Sequence, residues 1–373
     1  MAKKIWIDGY EANVLQRLGS GQVAFELLKN IEKLDRKNEY TILLSSIPLE
    51  DLPREREGWK YKILKPNKLW TRIALPLALY TTKNKPDLMF SPTHYGPRFS
   101  PVKKIVTIFD LAYLHFPQMF KKKDLFQLTN WTKQSIESAK HIITISNFSK
   151  NDILKTYNKT TKEVTVAYPG YNSGVFCPIN DSKKISEIKK KYKIDGNYLI
   201  YIGTVQPRKN LIRLIEAFKD IEDFKLVVVG KTKGLGKEGW MFEETLNKPK
   251  ELGIEEKVIF TGFIPNEELS YLINGATAFV LPSLYEGFGI PAVDAMACGK
   301  PVLVSNVSSL PEIVGDAGLL VNPKSVDQIE QAIRTISTDK KLHEKLSKKG
   351  IERAKRYSWK KMAREVIRVL EKI

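Results

Sequence analysis

Pro282-Ser283-Leu284-Tyr285-Glu286-Gly287-Phe288-Gly289-Ile290-Pro291-Ala292-Val293-Asp294-Ala295-Met296-Ala297-Cys298-Gly299-Lys300-Pro301-Val302 is the stretch that decides how the chain is read. The apolar run just before it, 278–281, predicts a buried strand. A turn with two glycines and one carboxylate follows. A short helix then begins near Ile290, with Pro291 in its first turn, where a missing N–H costs nothing. Gly299 stands where a helix end takes a left-handed residue, and 301–304 resumes an apolar strand. The free N–H groups at such a helix start attract an anion, usually phosphate. Glu286, just before that anion site, would repel phosphate, so the reading sets it against neutral hydroxyls beside it.

Working outward, apolar runs at 5–7, 40–44, 88–90, 105–108, 142–145 and 164–167 alternate with helical patterns such as 23–34 and 125–139. This alternation predicts a parallel sheet wrapped by helices. The turn-rich stretch Tyr168-Pro169-Gly170-Tyr171-Asn172-Ser173-Gly174 and a basic helical lead-in over 183–193 break it. It restarts at Tyr198, with strands at 226–229, 258–260, 278–281 and 302–304. The prediction is therefore two doubly wound α/β domains, with the ligand in the cleft facing the carboxyl ends of the strands. Ser358 reads as the N-cap of a last amphipathic helix through Ile373.

Further segments share the order and spacing of a known pattern. Tyr201-Ile202-Gly203-Thr204-Val205-Gln206-Pro207-Arg208-Lys209-Asn210 is a strand-to-helix turn carrying two cations. Phe260-Thr261-Gly262-Phe263, Ser309-Leu310-Pro311-Glu312 and Asp316-Ala317-Gly318-Leu319-Leu320 follow it. With Glu286-Gly287-Phe288-Gly289 and Pro291, the chain resembles the retaining glycosyltransferases of sequence family four. The resemblance implies the GT-B fold, two Rossmann-like domains facing each other across a cleft. It implies an acceptor-side domain over 1–174, a nucleotide-sugar domain over 175–357, and a last helix, 358–373, packed back on the first domain. It also implies transfer of a hexose, of mannose or glucose type, to a glycan or lipid-linked acceptor.

The resemblance carries roles onto single residues. Glu286 would contact the transferred sugar and stabilise charge developing at its anomeric carbon. Asp294 stands where the family has a second Glu that holds the ribose, and is shorter by roughly 1.5 Å of reach. Arg208 and Lys209 would grip the donor diphosphate; two cations before a helix start, with Asn210 as its N-cap, call for a compensating anion. Gly203 belongs to the same turn. Gly262 and Phe263 would lie against the base, while Gly287, Phe288, Gly289 and Ile290 bring backbone to the donor, Phe288 chiefly as packing. Gly19 and Gly21, between the first strand and its helix, match a glycine loop closing over the diphosphate. Thr107-Ile108-Phe109-Asp110-Leu111 resembles the family's T-I-H-D-L, with Phe109 in place of the His. Asp110 would bind the acceptor or hold the loop, and His94 or His115 are candidates to replace the missing imidazole.

Composition narrows the classes. The chain has 373 residues, enough for two cores, and no run of eighteen apolar residues. Met1-Ala2-Lys3-Lys4 leads directly into the first strand without a signal-peptide pattern. Cys177 and Cys298 read as reduced thiols, and a cytoplasmic location is expected. No D-x-D, H-E-x-x-H or paired cysteines predict a metal site, and no cofactor is expected. The formal charge is +19, with 28 basic against 16 acidic residues up to 180. Of 61 basic residues 48 are Lys, which fits a solvated surface or attraction to an anionic membrane face better than base reading. A nucleic-acid partner is therefore not expected. The implied donor is a nucleotide-diphosphate sugar, GDP-mannose ahead of a UDP-sugar. The alternatives are a sugar-nucleotide-binding protein impaired in catalysis and, further off, a basic nucleic-acid-binding protein.

Overall fold

The computed structural model describes residues 2–231 and 242–373, so Met1 of the predicted lead-in lies outside the described residues. These residues form two compact units. The first comprises residues up to 115, 122–170 and 358–373. Its strands are β1 (Lys4–Asp8), β2 (Glu39–Leu44), β3 (Trp59–Ile63), β4 (Leu88–Ser91), β5 (Lys103–Thr107), β6 (His141–Thr144) and β7 (Val164–Val166). They form one parallel sheet in the order β3-β2-β1-β4-β5-β6-β7. The inner strands are apolar on both faces because helices cover both.

One face packs Trp6, Leu43 and Met89 under Leu64 and the helical segment over 70–81, whose inward residues are Trp70, Ala74, Leu75 and Leu79. That segment opens as a π-helical turn, Trp70–Ala74, and continues as the α-helix Leu75–Thr81. Within the same unit the helix Trp359–Lys372 lies against the helix Ser20–Leu34 and buries Trp359, Met362, Ala363, Val366, Val369 and Leu370. Lys3 Nζ donates to the carbonyls of Leu370 and Glu371 at 3.1 and 2.7 Å, placing a cation where the helix dipole is negative.

The second unit comprises 116–121 and 171–357. Its strands are β8 (Asn197–Ile202), β9 (Phe224–Val229), β10 (Val258–Gly262), β11 (Ala278–Leu281), β12 (Val302–Ser305) and β13 (Gly318–Val321). They are parallel in the order β10-β9-β8-β11-β12-β13. In both sheets the order reverses direction once, between β1 and β4 and between β8 and β11. Such a reversal is the place where open α/β sheets take their ligands. Each sheet is thus Rossmann-like.

Candidate functional site

At the reversal point of the second sheet, β8 ends at Ile202 and β11 at Leu281, and the loops beyond them are tied together. Leu284 N donates to Arg208 O at 2.9 Å. Asn210 Nδ2 donates to Pro282 O at 2.9 Å and Pro323 O at 2.6 Å. Asn210 was expected as the N-cap of the following helix, Leu211–Ala217. Its backbone is instead left-handed, at φ 61°, and its side chain makes no capping bond. Its Nδ2 is spent on the two loops, and its Oδ1, the atom a cap would use, accepts from Arg213 Nη1 at 2.9 Å.

This clamp brings three predicted residues together. Glu286 lies buried with Lys209 Nζ at 2.5 Å from Oε1, Ser283 Oγ at 2.8 Å from Oε1 and Arg208 Nη1 at 3.4 Å from Oε2. Arg208 Nη1 also donates to Tyr285 O at 2.5 Å. The Glu286 backbone is held on both sides, its N–H donating to Ser308 Oγ at 3.0 Å and its carbonyl accepting from Ser309 Oγ at 2.9 Å. Burial alone would raise the Glu286 carboxyl, but the charges of Lys209 and Arg208 and the bonds from Lys209 and Ser283 outweigh it and hold the group below its ordinary value. It is an anion at neutral pH. The anion expected opposite Arg208 and Lys209 is therefore present within the protein itself, and Glu286 faces cations as well as a hydroxyl.

Beside it, Gly289 has φ +97° and starts the helix Ile290–Ala297; a Cβ there would also lie 2.7 Å from Leu310 Cδ2, so only glycine fits. Gly287 is buried, while Ile290 and Gly203 are half-buried. Phe288 is 2% exposed with its ring edge-on to Tyr357, so the side chain packs and only its backbone is left for a ligand. Asp294, one turn into the helix, is buried with no side-chain hydrogen bond among the described residues, and burial pushes its carboxyl well above the usual range. On β10 the register slips between Phe260 and Gly262; the bulge leaves Gly262 at φ +75° with its carbonyl bonded to Gly230 N at 2.9 Å, and Phe263 exposed. Sequence reasoning missed Ser283 and the hydroxyl of Tyr201, which has no hydrogen-bond partner among the described residues; burial, with the charge of Glu286 adding to it, pushes that hydroxyl's pKa up.

The remaining predicted residues belong to the first unit. Gly19 (φ +52°) precedes the helix Ser20–Leu34 and Gly21 lies in its first turn. That helix start already has a carboxylate, Glu11, which takes the Ser20 hydroxyl at 2.5 Å. Asp110 accepts from Ala112 N at 3.0 Å and so holds the loop after β5. Phe109 is buried, with the His94 ring against it at 4.9 Å. His115 is instead paired with Asp152 at 2.8 Å. His94 is thus the imidazole beside the substituted position. At this sheet's reversal point stands Asp8, which sequence reasoning also missed. It accepts from Trp70 Nε1 at 2.9 Å and Tyr10 N at 3.0 Å, with the Tyr10 and Trp70 rings 5.2 Å apart. Among the described residues no three His, Cys, Asp or Glu gather as a metal-binding group.

Residues 183–353 match the family described as "Glycosyl transferases group 1". The chain is 32% identical over 284 residues to the O-antigen chain mannosyltransferase B of Escherichia coli, spanning 74% of this chain and 72% of that one. It is 31% identical over 234 residues to the O-antigen chain mannosyltransferase RfbU of Salmonella typhimurium, spanning 62% and 60%. Among solved structures, the sucrose-phosphate synthase of Thermosynechococcus elongatus superposes with a TM-score of 0.78 at 19% identity, covering 99% of this chain and 98% of that one. This likeness places the two Rossmann-like units in the GT-B fold.

Proposed function

The chain belongs to the group 1 glycosyl transferases, and we propose that it moves a hexose, with retention, from a nucleotide-diphosphate sugar to a glycan or lipid-linked acceptor. The observation that carries this reading is the convergence of Arg208, Lys209 and Glu286 at the reversal point of the second sheet. A diphosphate arriving there offers Arg208 and Lys209 a stronger anion than one carboxylate. Glu286 is then released toward the sugar, with Ser283 still able to orient it. Asp294 takes the ribose hydroxyls, and the turn from Gly287 to Ile290 offers backbone N–H groups. Gly262 and Phe263 border the base.

In the transfer, the bond between the anomeric carbon and the diphosphate oxygen breaks. The acceptor oxygen bonds to that carbon from the same face, and its proton passes to the departing phosphate. Glu286 stabilises positive charge on the sugar meanwhile, and Arg208 and Lys209 neutralise the leaving group, the role a divalent ion plays in metal-dependent transferases. Asp110, through the loop it holds, and His94 are the first unit's contributions on the acceptor side. The names of the two O-antigen mannosyltransferases favour mannose as the sugar moved and a polysaccharide as the acceptor, and GDP-mannose is the donor we place ahead of a UDP-sugar.

The test is calorimetry with GDP, UDP and ADP, then transfer assays with the sugar conjugate of the best binder. Arg208→Ala should abolish diphosphate binding. Glu286→Gln should lower kcat roughly 10²–10³-fold while leaving diphosphate affinity equal or tighter, since the cations lose a competitor. Binding of none of the three, or parallel loss of kcat and affinity in Glu286→Gln, would sink the assignment.

A further inference from the structure

We propose that Tyr201 is a positioning residue for Glu286: once a diphosphate has drawn off Arg208 and Lys209, the Tyr201 hydroxyl donates to the released carboxylate. The inference rests on the transferase reading above and names the group that keeps its central carboxylate ionised. Tyr201 is the last residue but one of β8, which pairs with β11 at the reversal point of the second sheet. Arg208 stands on the loop leaving β8, and Glu286 on the loop leaving β11. The Tyr201 side chain is 0% exposed, and its hydroxyl has no hydrogen-bond partner among the described residues.

The other fully buried tyrosines of the described residues do not leave a hydroxyl idle. Tyr40 donates to Asp35 Oδ2 at 2.6 Å, and Tyr198, on the same strand as Tyr201, donates to Leu272 O at 2.6 Å. A buried hydroxyl without a partner lowers stability, and phenylalanine would fill the same space without that penalty. A group kept at the expense of the fold points to a use in another state of the site. The direction of the ring agrees. A Cβ on Gly203 would lie 3.2 Å from the Tyr201 hydroxyl oxygen, so the ring leans along β8 toward the strand's carboxyl end. Gly203 leaves the space beside that hydroxyl free of a side chain. The charges that bear on the hydroxyl are those of Glu286 and Arg208, and burial keeps it protonated far above neutral pH, ready to donate.

Glu286 needs such a donor once a diphosphate arrives. It accepts from Lys209 and Ser283 at Oε1 and has Arg208 at Oε2. The ionisable groups facing it are Lys209 and Arg208, from the loop after β8, and Tyr201 from the strand itself. The two cations are what chiefly outweighs its burial. A diphosphate takes both of them, and its own charge repels the carboxylate. With Ser283 alone the buried carboxyl would climb in pKa and take up a proton. A protonated Glu286 cannot stabilise positive charge at the anomeric carbon. A neutral hydroxyl holds the group ionised without competing for the diphosphate, which a third cation would do.

The experiment is the pH profile of kcat for wild type, Tyr201→Phe, Glu286→Gln and the double variant. The donor is the sugar conjugate of whichever of GDP, UDP and ADP binds best, and each variant is also titrated with that diphosphate by calorimetry. Removing the hydroxyl raises the Glu286 pKa in the loaded site, so the acid limb of kcat should move up by about one pH unit in Tyr201→Phe. On that limb kcat should fall about tenfold, and well above it kcat should return to the wild-type value. Diphosphate affinity should stay within about twofold, and thermal stability should be equal or higher, since the lost hydroxyl had no partner. In the Glu286→Gln background the same change should alter kcat by less than about twofold, because the two groups act as one. An unmoved acid limb, a loss of kcat equal at every pH, or a loss of diphosphate affinity in Tyr201→Phe would overturn the proposal; the last would give the hydroxyl to Arg208 instead. Loss of kcat in Glu286→Gln with no shift of the limb in Tyr201→Phe removes the part given to Tyr201 alone. Unchanged kcat in Glu286→Gln removes the transferase role of Glu286, and this inference with it.

Discussion

Asp8 shows how a single carboxyl can be set by its place in a fold. Burial raises it to about 7, against the two hydrogen bonds it accepts, with the charge of Glu11 adding to the rise. An unfolded Asp titrates near 3.9. Between those values the native chain holds a proton that the unfolded chain has lost, so stability falls as pH rises through that window. In urea titrations at pH 5 and pH 8, wild type should lose about 3 kcal/mol more than Asp8→Asn, which cannot titrate there. Equal losses in the two proteins would show that Asp8 is ionised throughout. Sequence reasoning could not find this residue, since a lone Asp ending a strand has no pattern; only the approach of Trp70 from 62 residues away defines its surroundings. Glu286, Arg208 and Lys209 were legible because their neighbours are glycines and prolines whose positions are dictated locally. What they do to each other was not, because their meeting depends on Asn210, Pro282 and Pro323 joining loops far apart in sequence.

Elements with a continuous apolar run were legible, and those at sheet edges were less so. β3 reads Trp59-Lys60-Tyr61-Lys62-Ile63, and an edge strand with one wet face keeps lysines at every second position. β13, at the opposite edge of the other sheet, is four residues long and only one of them is buried. The last helix was legible as amphipathic, but its seat depends on a glycine whose role appears only in space. A Cβ on Gly170 would fall 2.0 Å from Trp359 N and 2.4 Å from Ser358 C, both backbone atoms that cannot turn aside. Gly170→Ala should therefore destabilise the chain by at least about 2–3 kcal/mol in chemical unfolding. Gly174→Ala, whose Cβ would meet only Asn172 Oδ1 at 3.4 Å, should stay within about 0.5 kcal/mol. Comparable losses at both sites would mean the last helix tolerates a shift, and the contact does not set its position.

At the scale of the whole molecule, each unit has its own sheet and its own buried residues, so each has its own account of stability. The tryptophans are unevenly divided between them: Trp6, Trp59, Trp70, Trp131 and Trp359 stand in the first unit, and the sixth, Trp240, lies outside the described residues. Tryptophan fluorescence thus reports chiefly the first unit, while far-ultraviolet dichroism reports both. Arg208 and Lys209, proposed to hold the diphosphate, belong to the second. A nucleoside diphosphate at about 100 times its Kd should stabilise the unit that binds it by about 2.7 kcal/mol. The dichroism transition should then move to higher denaturant with the fluorescence transition moving less, and Arg208→Ala should remove the difference. Coincident shifts in both probes would mean that the two cores unfold as one cooperative unit. A shift confined to fluorescence would put the diphosphate on the first unit, at the Gly19–Gly21 helix start, and Glu286 would lose its part in the reaction.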